Sequence, residues 1–186
     1  DSGVDGAFRF LKRLWRQVHL HLDSKPNLKP LDKNSLSKTE KEMRRELHQA
    51  IEKVSDDIGR RHHFNTSIAT NMELLNHYTK FTDEGDNANA LRHEILEAIV
   101  LMLYPIVPHI CQQLWTELGS KEDINRTWPK VDKSALVQDE IQMIVQVNGK
   151  LRGKILVAID ASKADIEALA LAEENVVRFI DGKAIK

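Results

Sequence analysis

The sequence predicts a mainly α-helical chain that ends in a small αβ unit. Three observations carry this prediction. Apolar residues recur at spacings of three and four through four long stretches before residue 104. Between Ile141 and Val147 the period switches to two. Asn148-Gly149, a strong hairpin signal, follows at once. The expected division is a helical bundle over residues 1–120, a linker over 121–139 and a partial αβ domain over 140–186.

The first helix is expected from Gly3 to Leu22, with Ser2 and Asp5 as a capping-box-like start. Phe8, Leu11, Trp15, Val18 and Leu22 form its expected core stripe, with Arg9, Lys12, Arg13 and Arg16 on the other side. Pro26 and Pro30 bound a polar loop. The second helix is expected from Glu40 to Arg61, capped by Thr39 with Glu42, its stripe Met43, Leu47, Ile51, Val54 and Ile58. A corner at His62–Asn65 leads to a third helix, with Asn65 as its N-cap and Ile68, Met72, Leu75 and Tyr78 facing inward. After a loop at Thr82–Asn87, the fourth helix starts near Asn89. It carries Leu91, Ile95, Leu96, Ile99, Val100, Met102 and Leu103, too apolar for a surface helix, and should be the most buried. Pro105 and Pro108 must kink or interrupt it, since each lacks an N–H. A further helical stretch with Ile110, Leu114 and Leu118 stops at Gly119.

In the last unit Ile141, Met143, Val145 and Val147 face one way, and Leu151 to Ile159 is the return strand. A three-residue loop, pairing Val147 with Leu151 and Met143 with Ile155, or a bulge near Gly153, separates apolar from charged residues best. Ser162 caps a following helix with Ile166, Leu169 and Leu171, and the helical pattern resumes through Val176, Val177, Phe179 and Ile180. Asp181-Gly182 reads as a turn and Lys183–Lys186 as the opening of a strand. The chain starts Asp1-Ser2-Gly3, without methionine, and reads as a piece of something longer.

The 186 residues carry 27 Lys and Arg against 28 Asp and Glu, a net charge of -1, which excludes a bulk polycation. That total conceals a polarity. Residues 1–64 hold 14 basic and 10 acidic side chains, residues 65–120 hold 2 and 7, and residues 121–186 hold 11 of each. One cysteine excludes an intramolecular disulfide framework and fits a reducing cytosol. No apolar run approaches the roughly 20 residues that span a bilayer, and no signal segment opens the chain.

Catalytic signatures are missing. There is no Gly-rich phosphate loop, and Cys111 sits in a strongly apolar stretch and reads as core. His19/His21 and His62/His63 diverge on a helix, and no Cys/His cluster of zinc type is present. Asp56-Asp57 and Glu173-Glu174 point apart and read as solvated faces.

Two basic features remain. Arg9, Lys12, Arg13 and Arg16 share the outer side of the first helix, with Arg60 and Arg61 at a helix end. Lys150, Arg152 and Lys154 share parity and are expected on one face of the hairpin. They are candidates for phosphate contact, or else for helix and strand solvation and salt bridges to the acidic 65–120 segment. With Phe8 and Trp15 placed in the core, base stacking is not indicated.

Two stretches are more specific. Arg61-His62-His63-Phe64-Asn65-Thr66-Ser67-Ile68-Ala69, followed by Met72-Glu73-Leu74, resembles the helical-domain motif of leucyl-tRNA synthetases. Val145-Gln146-Val147-Asn148-Gly149-Lys150-Leu151-Arg152-Gly153-Lys154-Ile155 resembles the hairpin that follows it in the bacterial-type enzymes. The opening Ser2–Leu11 is similar to the helix after the catalytic core, and Leu103–His109 to a stretch shared by several class I synthetases. Phe64, Asn65, Thr66, Val147, Asn148 and Gly149 carry the resemblance most specifically.

The resemblance implies a class I aminoacyl-tRNA synthetase anticodon-binding helical bundle followed by a truncated C-terminal αβ domain. It implies a cytoplasmic, monomeric parent that joins leucine to its tRNA using ATP with magnesium. The catalytic core would lie upstream, and the catalytic and editing sites outside this chain. Its partners would be leucine tRNA and that core, with no membrane, and no cofactor or metal would bind this stretch. The basic residues named above would then be phosphate contacts that position tRNA without reading bases. The other reading is a structural buttress between catalytic core and C-terminal domain with little tRNA contact.

Overall fold

The computed structural model describes residues 2–137 and 140–180. They form two compact units, one through Leu136 and the other from Val137.

The first unit opens with α1 (Ser2–Asp23), followed by α2 (Lys38–Asp56) and a π-helical turn (Asp57–Arg61). Then come α3 (Phe64–Lys80), α4 (Asp86–Leu103), α5 (Pro108–Glu117) and two 3-10 turns, Ile124–Arg126 and Lys133–Leu136. α1 lies against α3 and α4. Its buried face is Phe10, Leu14, Val18 and His21, which corrects the expected stripe. Phe8 is 65% exposed and Trp15 36%, while Leu11 and Leu22 are partly buried. The helix carries two apolar strips about 90° apart at 3.6 residues per turn. Periodicity identifies the helix, and only the neighbouring helices choose the strip.

The start of α2 also differs from expectation. Ser37 is the N-cap: its hydroxyl accepts the Glu40 N–H at 3.0 Å, and the Glu40 carboxylate accepts the Ser37 N–H at 2.8 Å. Thr39 and Glu42 fit the same pattern in sequence, but the Thr39 hydroxyl donates to the Asp83 carboxylate in the loop before α4. Met43, Leu47, Ile51 and Val54 are buried as the stripe predicts, and Ile58 is partly buried.

The π turn ends at His62, whose φ of 56° is left-handed, and the His63 N–H bonds back to the Asp57 carbonyl at 2.8 Å. That reversal starts α3 at Phe64, two residues earlier than an N-cap at Asn65 implies. His63 therefore holds the N-cap position without a side-chain bond, and Asn65 lies exposed in the first turn. Of the residues expected to face inward from α3, Leu75 and Tyr78 are buried and Ile68 and Met72 half-buried; Leu74, Ser67, Thr70 and Asn71 are buried beside them. Asp57 is buried as well, against its reading as a solvated carboxylate.

α4 is buried along most of its length, as its composition predicts. It ends at Leu103, and Pro108 takes the first turn of α5, where a missing N–H leaves nothing unpaired. Gly119, at φ 81°, turns the chain out of α5 in the left-handed conformation that glycine allows.

The stretch after Gly119, expected as a linker, is strapped onto the bundle as far as Leu136. Trp115 Nε1 donates to the Glu122 carbonyl at 2.8 Å, and Trp128 Nε1 to Ser55 Oγ at 2.8 Å. Asp132 Oδ2 takes Arg44 Nη2 at 2.7 Å and Lys33 Nζ at 2.6 Å, and its backbone N–H reaches His48 Nδ1 at 3.2 Å. Arg44 and His48 are buried, and the hydrogen bonds from Lys33, Ser134 and Arg44 hold the Asp132 carboxyl far below the usual carboxylate range.

The second unit has β1 (Glu140–Val147), β2 (Lys150–Ala158), α6 (Lys163–Ala172) and α7 (Glu174–Ile180). The strands pair antiparallel through a two-residue turn, with Asn148 at φ 53° and Gly149 at φ 75°. Positive φ at both positions matches the right-handed twist of the flanking strands. Val147 therefore faces Lys150 and not Leu151, which corrects the three-residue loop. A bulge restores the apolar register. Gln146 pairs with Leu151 and Val145 with Gly153, so Arg152 is the extra residue, and Met143 meets Ile155 as expected.

Gly153, Ile155 and Val157 form the buried face of β2. A Cβ at Gly153 would lie 2.7 Å from the Glu173 carboxylate, so glycine admits that side chain. Glu173 in turn accepts the Val176 N–H at 2.8 Å, and Val176 is buried. Ser162 caps α6 in a reciprocal box with Asp165. The expected turn at Asp181-Gly182 and strand at Lys183–Lys186 lie outside the described residues.

Candidate nucleic-acid interface

At 100° per residue, Arg9, Lys12 and Arg16 occupy an arc of about 60° on α1. All three are exposed, and no hydrogen bond or ion pair engages them among the described residues. Arg13 sits at the margin of this arc, half-buried, with its Nε shielded from solvent and unpaired.

Val4, Phe8 and Trp15 flank the arc and are exposed. The premise that Phe8 and Trp15 are core residues therefore fails, and aromatic and basic side chains adjoin on the same helix.

Arg60 and Arg61 are different. Arg60 grips both oxygens of Asp56, Nε on Oδ1 at 2.5 Å and Nη2 on Oδ2 at 2.9 Å, and Arg61 Nε shares Oδ2 at 2.8 Å. The Arg60 hydrogen bonds hold the Asp56 carboxyl below its usual range. The salt-bridge reading applies here, with the acid on the arginines' own helical stretch and not in 65–120.

The hairpin bases do not share a face. Lys150 stands opposite Val147, and Lys154 opposite Ile144, on alternate sides of β1. The bulge breaks the parity between them. Arg152 turns to α7, its guanidinium carbon 3.6 Å from the Phe179 ring centroid.

The motif residues hold shape. Asn148 and Gly149 form the turn beside half-buried Val147. Phe64, Asn65 and Thr66 make the exposed first turn of α3, where the Thr66 carbonyl accepts the Thr70 hydroxyl at 3.0 Å.

Sequence reasoning missed the contact of buried His21 with half-buried His93. His21 Nε2 lies 3.3 Å from His93 Nδ1 beneath α1. Its place in the series Phe10, Leu14, Val18, His21, with steps of four, four and three, was the available signal. Burial, then His93, then Arg92 push its pKa down to about 4.

Cys111 is buried, and burial pushes its thiol up to about 12, which suits core and not nucleophile. Among the described residues no group of three His, Cys, Asp or Glu could hold a metal ion, and no helix is long and apolar enough to cross a membrane. A cavity of about 600 Å³ beside α2 is lined by Asp32, Glu40, Asp83, Glu84 and Asp86 together with Lys29.

Residues 40–168 match the model of the anticodon-binding domain of tRNA ligase. The chain belongs to this family. The matched span runs from the first turn of α2 through the hairpin into α6. The whole chain is 55% identical to a leucine–tRNA ligase of Nitrosospira multiformis and 52% to that of Thioalkalivibrio sulfidiphilus, covering 22% and 23% of those proteins. It thus spans less than a quarter of the length of the curated relatives it matches. Among solved structures it is similar to the LeuRS of Agrobacterium radiobacter K84 in a ternary complex with tRNA and LeuAMS. The TM-score is 0.80 at 26% identity, covering 100% of this chain and 24% of that one. This anticodon-binding domain is mainly helical with a small antiparallel hairpin, as the sequence predicts.

Proposed function

We propose that the chain is the tRNA-supporting part of a leucine–tRNA ligase, and that the basic arc of α1 lies along tRNA phosphates. The observation that carries this reading is the arc itself: Arg9, Lys12 and Arg16 are exposed, adjacent and without a partner among the described residues. Family membership, the identity to leucine–tRNA ligases and the tRNA complex of the similar structure support it. Phosphate contacts of this kind fix the register of an RNA and carry no sequence information. Lys150 and Lys154, exposed on opposite sides of the hairpin, are secondary contacts. Arg13, Arg60, Arg61 and Arg152 are occupied or part-covered and contribute less.

On this reading catalysis, editing and ATP with magnesium belong to the rest of a cytoplasmic, monomeric ligase. This chain's side chains bind and orient the tRNA through phosphates.

The test is titration of leucine tRNA across a salt series. Replacing Arg9, Lys12 and Arg16 together with Ala should weaken binding more than tenfold at low salt. It should also reduce the log–log salt slope by about two to three, at roughly 0.9 per lost phosphate contact. Arg60→Ala with Arg61→Ala should change both far less. An unchanged slope in the triple variant removes the assignment.

A further inference from the structure

The first unit holds a second cavity, of about 500 Å³, between α2, α4, α5 and the segment that follows Gly119. Ile51, Ala98 and Leu101 form its apolar part. Trp115 and Trp128 stand in its wall, and each ring is fixed by the hydrogen bond that its indole N–H donates within the fold. Lys121 and Lys130 lie at its rim, exposed and with no hydrogen bond or ion pair among the described residues.

The polar groups of the wall are only partly used. His48 is 2% exposed. Its Nδ1 accepts the Asp132 N–H, so in the neutral ring Nε2 carries the hydrogen. That Nε2 is buried and has no hydrogen-bond partner. Glu94 Oε1, in the same wall, lies 3.4 Å away without forming one. The other Glu94 oxygen is 3.7 Å from Arg44 Nε, which is also buried and unpartnered. Glu97, one turn further along α4, reaches His93 only at 3.6 Å. An unpaired buried donor is costly, and here it borders a cavity beside two loosely held carboxylates.

We infer that this cavity binds a guanine base, with the phosphate of its nucleotide at Lys121 and Lys130. The size is that of a small-ligand site. The wall offers one donor, the His48 Nε2–H, and more than one acceptor, on Glu94 and Glu97. An ammonium group brings donors only and leaves the His48 hydrogen unpaired. A phosphate or carboxylate inside the cavity brings acceptors only and meets two carboxylates. Among the bases, guanine alone presents two donors and one acceptor on its Watson–Crick edge: N1–H, the N2 amino group and O6. Adenine presents one of each, and cytosine and uracil one donor and two acceptors. The carboxylates take N1–H and the amino group, and His48 donates to O6. Trp128, half-buried, supplies an aromatic face for the ring. The guanine has two possible sources, a free nucleotide and an unstacked base of a bound RNA. The site shares no residue with the basic arc of α1 and goes beyond the proposed function.

The test is calorimetric titration of this chain, without tRNA, with GMP, AMP, CMP, UMP and inosine monophosphate. GMP should bind at least about fivefold tighter than AMP, CMP or UMP, the low end for a two-bond base contact. Inosine monophosphate, which lacks the amino group, should lose most of that advantage. In NMR spectra GMP should move the indole N–H signal of Trp128 and leave that of exposed Trp15 in place. Binding of no nucleotide overturns the inference. So does equal binding of all five, or a shift at Trp15 as large as that at Trp128.

Glu94→Gln, which exchanges an acceptor for a donor, should weaken GMP binding about tenfold. Lys121→Ala with Lys130→Ala, at exposed positions, should remove the preference for GMP over guanosine. Unchanged GMP affinity in the first variant, or an unchanged preference in the second, overturns the assignment. Leucine tRNA then identifies the source: displacement of GMP means that the RNA supplies the base, and joint binding means a free nucleotide. GMP binding is read without tRNA, so the inference and the proposed function fail separately.

Discussion

His21 is the residue whose chemistry departs furthest from its sequence appearance. It sits beneath α1 with only 5% of its surface exposed, against His93 and near Arg92. His93 in turn faces Glu97 at 3.6 Å, and His19, the other histidine of α1, points to Glu117 at 3.2 Å. A histidine whose folded pKa is lowered from 6.5 to about 4 takes up its proton in the unfolded chain first. Its contribution to stability is therefore complete above pH 6.5, declines as pH falls from 6.5 towards 4, and changes no further below that. The carboxylates with resolved shifts, Asp56 and Asp132 among them, are lowered from 3.8 and titrate below this window. The urea midpoint should thus fall between pH 7 and 4.5, and less steeply in His21→Gln, which keeps a donor and acceptor near the imidazole position but does not titrate. Parallel curves for the two proteins would show that His21 does not drive the loss. The same residue shows why part of the site was hidden in sequence. A polar side chain in an apolar series reads as an interruption until His93, 72 residues later, is found beside it.

At the scale of elements, α1 tests the corrected helix face. Leu14 is fully buried, and Leu14→Ala should cost about 2–5 kcal/mol. Phe8→Ala in the same chain should change stability by no more than about 0.5 kcal/mol, the usual range for surface positions. Chemical denaturation of both variants decides the matter, and a large loss from Phe8→Ala with little from Leu14→Ala would restore the stripe read from the sequence. Elements with one dominant local signal were legible: α4 from its unbroken apolar run, the hairpin from Asn148-Gly149, and α6 from Ser162. Elements with two competing signals were not. Ser37-x-x-Glu40 and Thr39-x-x-Glu42 are equally good caps in sequence; Asp83 accepts from both hydroxyls, and only Ser37 also takes the N–H of its partner glutamate, Glu40. The hairpin bases illustrate the same limit, for one extra residue at Arg152 puts Lys150 and Lys154 on opposite faces. The strap was illegible for another reason. Nothing local marks Asp132 as the partner of Arg44, 88 residues away in the chain.

Across the whole molecule, burial is distributed very unevenly between the two units. The first unit holds a continuous core from Phe10 to Ile124. Among the described residues of the second, only Ile155, Val157 and Val176 are buried apolar side chains. A pair of strands with two short helices and so few buried side chains supplies little apolar burial to offset the entropy of ordering it. Ile144, Leu151, Leu156 and Val177 of that unit are all more than half exposed. Opening of the hairpin should therefore cost much less than opening of α2 or α4. In native-state hydrogen exchange on this chain, the amides of Ile141–Val147 and Leu151–Val157 should be protected at least 100-fold less than those of Leu47–Val54 and Ile95–Leu103. By the usual conversion that is about 2.7 kcal/mol of opening free energy. The difference should persist in Leu14→Ala, which lowers protection in the helices and leaves the hairpin amides nearly unchanged. Equal protection in the two units, or a parallel drop of both in Leu14→Ala, would mean that the chain unfolds as one cooperative body despite its uneven core.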